Sequence, residues 1–278
     1  MVKKEPNWTI IPIAVFALCF AYFWVRSLTV GGTARLLACC GIAIVSLLLG
    51  YLLYVVFVSV VSLFIRTSEP QTRFQGFYHA MVTYVEGLLS STAGARIHTK
   101  GMELLPEGRF LLVSNHRSGF DPLVTGWVLR KRQLAFIVKP SIRALPVVGP
   151  FIHKSCFLAI DRENDREALK TILQAARLMK EDVVSIGIYP EGTRNTGDGL
   201  LPFRSGAFKI AQKAKTPVVV MAIRGTEQIA RRFPWRSTDV WLELCAVLDA
   251  ETVASSSTVE LSELAGAAIT KALAAPTF

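Results

Sequence analysis

Two long stretches without a charged side chain dominate the first quarter of the chain. Trp8 to Val25 holds none, and neither does Leu36 to Ile65. A spanning helix needs roughly 20 apolar residues. The first run is about that long, the second is longer, and uncharged runs of this length are rare in soluble cores. Between them Arg26 and Arg35 flank Gly31-Gly32, a turn signal. The pattern predicts an N-terminal two-helix membrane hairpin over residues 1–66, followed by a water-soluble domain over residues 67–278. A secretory signal is the less favoured reading, because no small-residue cleavage site stands out and a second apolar run follows. The hairpin either crosses the bilayer or dips into one leaflet; the sequence leaves both open. Lys3 and Lys4 before the first run, with Arg66 and Arg73 after the second, outweigh Arg26 and Arg35. That places both outer ends on the cytoplasmic side.

Charge narrows the partners. Net charge is +10, and only four basic residues and one acidic residue precede Arg66, so the domain carries most of the excess. A basic domain beside a bilayer is drawn to anionic headgroups and to acidic soluble partners. No nucleic-acid recognition motif accompanies the charge, so nucleic acid is not an expected partner. The five cysteines form no Cys-x-x-Cys pair and no ligand pattern with the four histidines. They read as reduced thiols in a reducing compartment, with no metal site.

Beyond Thr67 the pattern changes to short β-rich runs alternating with helical ones. Phe74 to Leu89 reads as an amphipathic helix. Strands are predicted at Arg96–Thr99, Phe110–Ser114, Leu134–Val138, Val183–Tyr189, Val218–Ile223 and Val240–Cys245. Helices are predicted at Pro122–Arg130, Glu163–Lys180, Phe203–Lys213 and Glu260–Leu273. Ala168, Ile172, Ala175, Ala176 and Met179 line one face of the second of these helices. Such alternation indicates an α/β domain, with helices flanking a mostly parallel central sheet.

Chemistry concentrates at two strand ends. Strand Phe110–Ser114 stops just before Asn115-His116, and Asp121-Pro122 reads as a helix start with Asp at the N-cap. Residues at the carboxyl ends of strands in such folds face the ligand crevice. If the loop folds back, Asp121 meets one nitrogen of His116, leaving the other to accept a proton. The pair resembles a catalytic triad without its serine, so the nucleophile would be a substrate hydroxyl. Ser118 is a nearby alternative nucleophile, but no Gly-x-Ser-x-Gly elbow surrounds it. By itself this spacing is also compatible with an ordinary loop histidine beside a helix cap.

The second strand end is Tyr189-Pro190-Glu191-Gly192-Thr193-Arg194. Gly192 can adopt a positive φ in an anion-binding turn, and Arg194 can grip a phosphate through two donors. Glu191 either orders that arginine or contacts a substrate hydroxyl. Arg162, at the end of the apolar stretch Phe157–Ile160, is a second candidate guanidinium. Lys139, after Leu134–Val138, is a further candidate cation. His79, His98 and His153 have no acidic neighbour in sequence and read as structural.

These blocks resemble the glycerolipid acyltransferases, specifically the lysophosphatidic acid acyltransferases. Asn115, His116 and Asp121 match the family's first block, Phe157 to Arg162 the second, Tyr189 to Arg194 the third (Tyr in place of Phe), and Pro217 to Ile223 the fourth, in the family's order. The resemblance covers roughly residues 111–226. It implies that His116 is a general base partnered by Asp121, and that Arg162, Glu191, Gly192, Thr193 and Arg194 bind a glycerol phosphate. It also implies that Pro217 and its strand shape the lipid site. Lys139 matches loosely, because Pro140 stands where a polar residue is expected. The implied reaction moves an acyl group to the sn-2 hydroxyl of lysophosphatidic acid, yielding phosphatidic acid. Acyl-CoA or acyl carrier protein would be the co-substrate, with no bound cofactor. A sister lysolipid acceptor, a membrane-bound lipid hydrolase and a lipid-binding scaffold are the competing readings.

Overall fold

The structure is a computed structural model and describes residues 18, 21–22, 32–197 and 199–277. The first apolar run, the predicted turn before Gly32 and Cys19 lie largely or wholly outside the described residues. Two units separate at Ile65/Arg66. The first contains one long helix, α1 (Gly32–Leu63). Within it Leu36–Leu63 has a mean hydropathy of 2.6, and of these residues only Ser62 is buried. At about 1.5 Å per residue this helix exceeds the ~30 Å of a bilayer core, so length and exposure both suit a lipid environment.

The second unit begins with α2 (Gly76–Thr92) and is organised by a seven-stranded sheet. Its strands are β1 (Ala95–Lys100), β2 (Leu111–Ser114), β3 (Leu134–Val138), β4 (Leu158–Ala159), β5 (Ser185–Ile188), β6 (Val218–Arg224) and β7 (Thr238–Leu248). Their spatial order is β1-β7-β6-β2-β5-β3-β4. Every neighbouring pair is parallel except β6 and β7. The interleaved helices are α3 (Asp121–Val128), α4 (Pro140–Arg143), α5 (Val148–Lys154), α6 (Asp165–Lys180), α7 (Lys209–Ala214), α8 (Thr226–Arg232), α9 (Ala250–Ser255) and α10 (Thr258–Ala274).

Sequence chemistry accounts for the main elements. Parallel strands covered on both faces need continuous apolar runs, and Leu111, Leu112 and Val113 in β2 are all buried, as are Val218 to Ile223 in β6. In α6 the predicted stripe is the one that packs, burying Ala175, Ala176 and Met179. Asn164 caps it by accepting from the Glu167 amide at 3.2 Å. At α10, Ser257 and Glu260 form a reciprocal capping box. One predicted helix divides, and one short strand forms where none was predicted. Phe203–Lys213 divides into a 3-10 turn, Ser205–Phe208, and α7. Short β4, within the apolar stretch before Arg162, pairs with the outer side of β3.

Helix α2 packs against α3, the helix that carries Asp121. Their contact is close: a Cβ built on Gly126 of α3 would lie 2.2 Å from Oε2 of Glu86. Glu86 is buried, and burial holds its carboxyl well above the ordinary carboxylate range. The folded chain therefore keeps this proton to a higher pH than the unfolded chain, whose carboxyl titrates near 4.5. Stability from the neutral form is complete below that pH and declines as pH rises toward the folded value. Glu86→Gln preserves the neutral shape without an ionisation. We expect its melting temperature to match the wild type near about pH 4 and to exceed it by several degrees near about pH 8. A difference independent of pH would assign the titration to another group.

Candidate active site

Three adjacent parallel strands, β5, β2 and β6, end on one edge of the sheet, and the segments that follow them converge there. Asn115 is the first residue past β2. Its side chain acts as an extra rung of the ladder, donating to the Ile223 carbonyl at 2.9 Å and accepting from the Ile223 amide at 2.8 Å. This bond pair ties the start of the His116 loop to β6.

His116 Nδ1 lies 2.8 Å from Oδ2 of Asp121. The loop does fold back. Asp121 is the first residue of α3 rather than its N-cap, a position held by Phe120. The carboxylate is turned away from the helix N–H groups toward the loop: Oδ2 also accepts from the amides of Arg117 (2.6 Å) and Ser118 (2.8 Å). Oδ1 accepts from the Thr226 hydroxyl. Asp121 is wholly buried, whereas the His116 side chain keeps 18% of its surface exposed. These four donors replace water that the carboxylate loses on burial. With Nδ1–H directed at Asp121, Nε2 carries the lone pair available to a substrate.

Tyr189 covers the imidazole from one side, with ring centroids 4.4 Å apart and planes at 20°. Behind it Phe136 continues the stack at 5.9 Å. Burial foremost, then the charge of Asp121, holds the Tyr189 phenol protonated far above its ordinary range. The ring thus acts as a flat wall that fixes the plane of His116.

Glu191 is buried, and both its oxygens are taken by backbone amides: His116 donates to Oε1 at 2.7 Å and Leu201 to Oε2 at 3.2 Å. Burial raises its carboxyl pKa, and these two amide bonds oppose the shift. In this arrangement Glu191 clips the His116 loop to the segment after β5. A further backbone bond joins the same segments, from the Asn195 amide to the His116 carbonyl at 2.7 Å.

Gly192 has φ +75°, as its predicted turn requires, and a Cβ there would stand 2.9 Å from Nε of Arg204. Its amide donates to the Tyr189 carbonyl, closing the turn internally. The turn has cations on two sides. Thr193 and Arg194 line a cavity of about 690 Å³ with Arg117, Ser118, Arg231 and Arg232. Arg162 lines a separate cavity of about 160 Å³ with Arg204, Gly192 and Tyr189. Partial burial, and then the Arg204 guanidinium, lower the Arg162 pKa. Arg162 and Arg194 therefore border different cavities. Lys139 is exposed at the end of β3, where it precedes α4, and lines none of these cavities. A third cavity of about 400 Å³, walled by Leu200, Ile223, Leu273 and Ala274, shares Arg117 and Glu227 with the largest one.

The sequence reading did not identify Thr226 or Arg204 as parts of this site, and gave Tyr189, the first residue of the third block, no role of its own. Thr226 was signalled only by its place one residue past Gly225, at the end of β6. That glycine has φ +89°, and a Cβ on it would lie 2.2 Å from the Asp239 carbonyl. Among the other histidines, His98 gains an acidic partner across β1 and β7, Asp239 at 2.8 Å. His79 Nε2 lies 3.1 Å from the Arg130 carbonyl. His153 sits 2.6 Å from the Arg143 guanidinium, and burial, then that charge, depresses its pKa to about 4.

The sequence model of the acyltransferase family matches residues 96–224, which span β1 through β6 and include the converging strand ends. Over those residues the chain is similar to the acyltransferase family. The 1-acyl-sn-glycerol-3-phosphate acyltransferase of Haemophilus influenzae is 32% identical over 141 residues, covering 51% of this chain and 57% of that protein. The Escherichia coli protein of the same name is 33% identical over 119 residues, 43% of this chain and 48% of its own length. The chain spans about half the length of the curated relatives it matches. A similar fold is seen in the crystal structure of the 1-acyl-sn-glycerophosphate acyltransferase from Thermotoga maritima. That likeness has a TM-score of 0.57 and 24% identity, and covers 81% of this chain and 91% of the other.

Two substitutions separate clip from wall. Glu191→Ala leaves two partly buried amides without acceptors, and we expect a loss of about 1–3 kcal/mol of stability with faster hydrogen exchange at the His116 amide. Tyr189→Phe keeps the stack while deleting a buried hydroxyl that has no well-formed hydrogen bond. We expect stability within about 1 kcal/mol of wild type, read by denaturant unfolding.

Proposed function

We propose that this chain transfers a fatty acyl group from a thioester, acyl-CoA or acyl-ACP, to the sn-2 hydroxyl of 1-acyl-sn-glycerol-3-phosphate, yielding phosphatidic acid. The observation that carries the reading is the His116–Asp121 pair, set at the carboxyl end of the central strand beside a cavity rimmed by Arg194. His116 Nε2 takes the hydroxyl proton as the oxygen attacks the thioester carbonyl. The tetrahedral intermediate then collapses, the C–S bond breaks, and the imidazolium returns the proton to the leaving thiolate. Asp121 stabilises the imidazolium between these steps. The thioester is a co-substrate, and no resident cofactor enters the step.

In this reading Arg194, with Thr193, holds the phosphate of the lysolipid so that its hydroxyl lies near His116, a proximity effect. Arg162 and Arg204, on the far side of the Gly192 turn, supply a second anion position. The mostly apolar cavity at Leu200, Ile223 and Leu273 suits an acyl chain. Glu191 and Gly192 serve the phosphate site through the turn they shape. Residues 1–66 form the membrane anchor and residues 67–278 the acyltransferase domain, on the cytoplasmic side of the membrane.

His116→Ala is expected to abolish turnover, by at least about 10³-fold, while the protein stays folded and membrane-bound. Near-normal turnover would remove the base assignment. Arg194→Ala is expected to raise KM for lysophosphatidic acid with a smaller change in kcat. A rise confined to KM for the thioester would move the acceptor phosphate to the Arg162 side. Product identification from a panel of lysolipids and labelled acyl-CoA tests the acceptor itself; lysolipid consumption independent of an acyl donor would indicate hydrolysis instead.

A further inference from the structure

Helix α8 ends in Arg231-Arg232, and the chain then runs through Phe233, Pro234, Trp235, Arg236 and Ser237 before entering β7. This connection is apolar and basic at once. Phe233 is 52% exposed and Trp235 89%, and Arg231, Arg232 and Arg236 are all exposed. Among the described residues, no acidic side chain forms an ion pair with these three arginines.

Topology fixes where the connection lies. Strand β7 runs antiparallel to β6, with Arg224 opposite Trp241, so the start of β7 lies at the carboxyl end of β6. That is the edge occupied by His116 and Arg194. Arg231 and Arg232 also wall the 690 Å³ cavity, so the connection begins at the cavity's rim. On the other flank, Ile142 (41% exposed) and Leu145 (43%) follow β3, which is parallel to β5 and ends on the same edge. Three strand intervals separate β3 from β6, roughly 14 Å at sheet spacing. Exposed apolar side chains thus bracket a basic cavity along one edge. Large exposed aromatics beside cations suit the boundary between headgroups and acyl chains, where tryptophan partitions and arginine meets phosphate.

We propose that the 233–237 connection is an interfacial anchor that lays this edge of the sheet on an anionic bilayer. Phe233 and Trp235 enter the headgroup–acyl boundary, and Arg231, Arg232 and Arg236 contact lipid phosphates. Apolar points on both flanks fit a planar partner better than a compact acidic protein. The inference rests on, and deepens, the lipid acceptor proposed above: a lysolipid would pass from the bilayer into the arginine-rimmed cavity without crossing water.

The test uses the full chain in phosphatidylcholine vesicles, with or without phosphatidylglycerol. Subtracting the emission of Trp235→Phe from that of wild type isolates Trp235, whose exposure makes the variant safe for folding. We expect the difference emission to be blue-shifted, shielded from iodide and quenched by lipids brominated high on the acyl chain, most strongly with phosphatidylglycerol present. Replacing Arg231 and Arg232 together by Gln should reduce the phosphatidylglycerol dependence at least about threefold. An emission typical of tryptophan in water, open to iodide and untouched by bromolipid, would overturn the anchor. So would shielding that appears only when an acidic carrier protein is added, which would assign the surface to that protein. The readout needs no turnover, so its failure is distinct from failure of the acyl-transfer reading, which the His116→Ala assay addresses.

Discussion

A single buried carboxylate organises the site. Asp121 receives the imidazole of His116, the amides of Arg117 and Ser118, and the hydroxyl of Thr226. Removing an isolated carboxylate from water would be prohibitive, and only a full set of donors makes it tolerable. Those donors come from the loop after β2 and from the first residue of α8, after β6. The charge therefore demands that two strand ends be held in fixed relation. The same demand turns His116 so that one nitrogen faces Asp121 and the other is left for chemistry.

The surroundings meet that demand with groups bonded within the fold itself. Asn115 continues the ladder from β2 to β6 through its amide, and Glu191 clips the His116 loop to the segment after β5. Tyr189 closes one face of the imidazole. Each of these lies at the carboxyl end of a central strand, where a covered parallel sheet offers rigid backbone next to an open edge. Precision comes from the sheet, and access comes from the loops.

Much of this was legible in the residues. Period and turn chemistry located the central strands, because buried parallel strands must be almost continuously apolar. The five-residue spacing of His116 and Asp121 placed both in one loop, and Gly192 announced its positive φ. Other features were not readable. Asp121 looked like a helix cap because Asp before Pro usually is one; its buried carboxylate instead faces the His116 loop, whose amides donate to it. Glu191 read as ordering Arg194 or contacting a substrate hydroxyl, since nothing local shows that the amides of His116 and Leu201 will take its oxygens. Arg162 and Arg194 looked like partners for one phosphate, yet the Gly192 turn stands between their cavities. The Trp235 loop drew no notice, because its significance lies in which edge of the sheet it occupies.

What the amino-acid order determined by itself is local: apolar runs long enough for a bilayer, strand and helix periods, and a histidine five residues before an aspartate. What only the tertiary structure decided is which polar groups meet across strands. Strand order, β6-β2-β5 at the centre, brought Thr226, Asn115 and Glu191 onto the His116 loop from positions up to 110 residues apart in the chain. Local interactions follow from neighbours in sequence. The environment of a buried charge follows from neighbours in space, and that is known only once the sheet has closed around it.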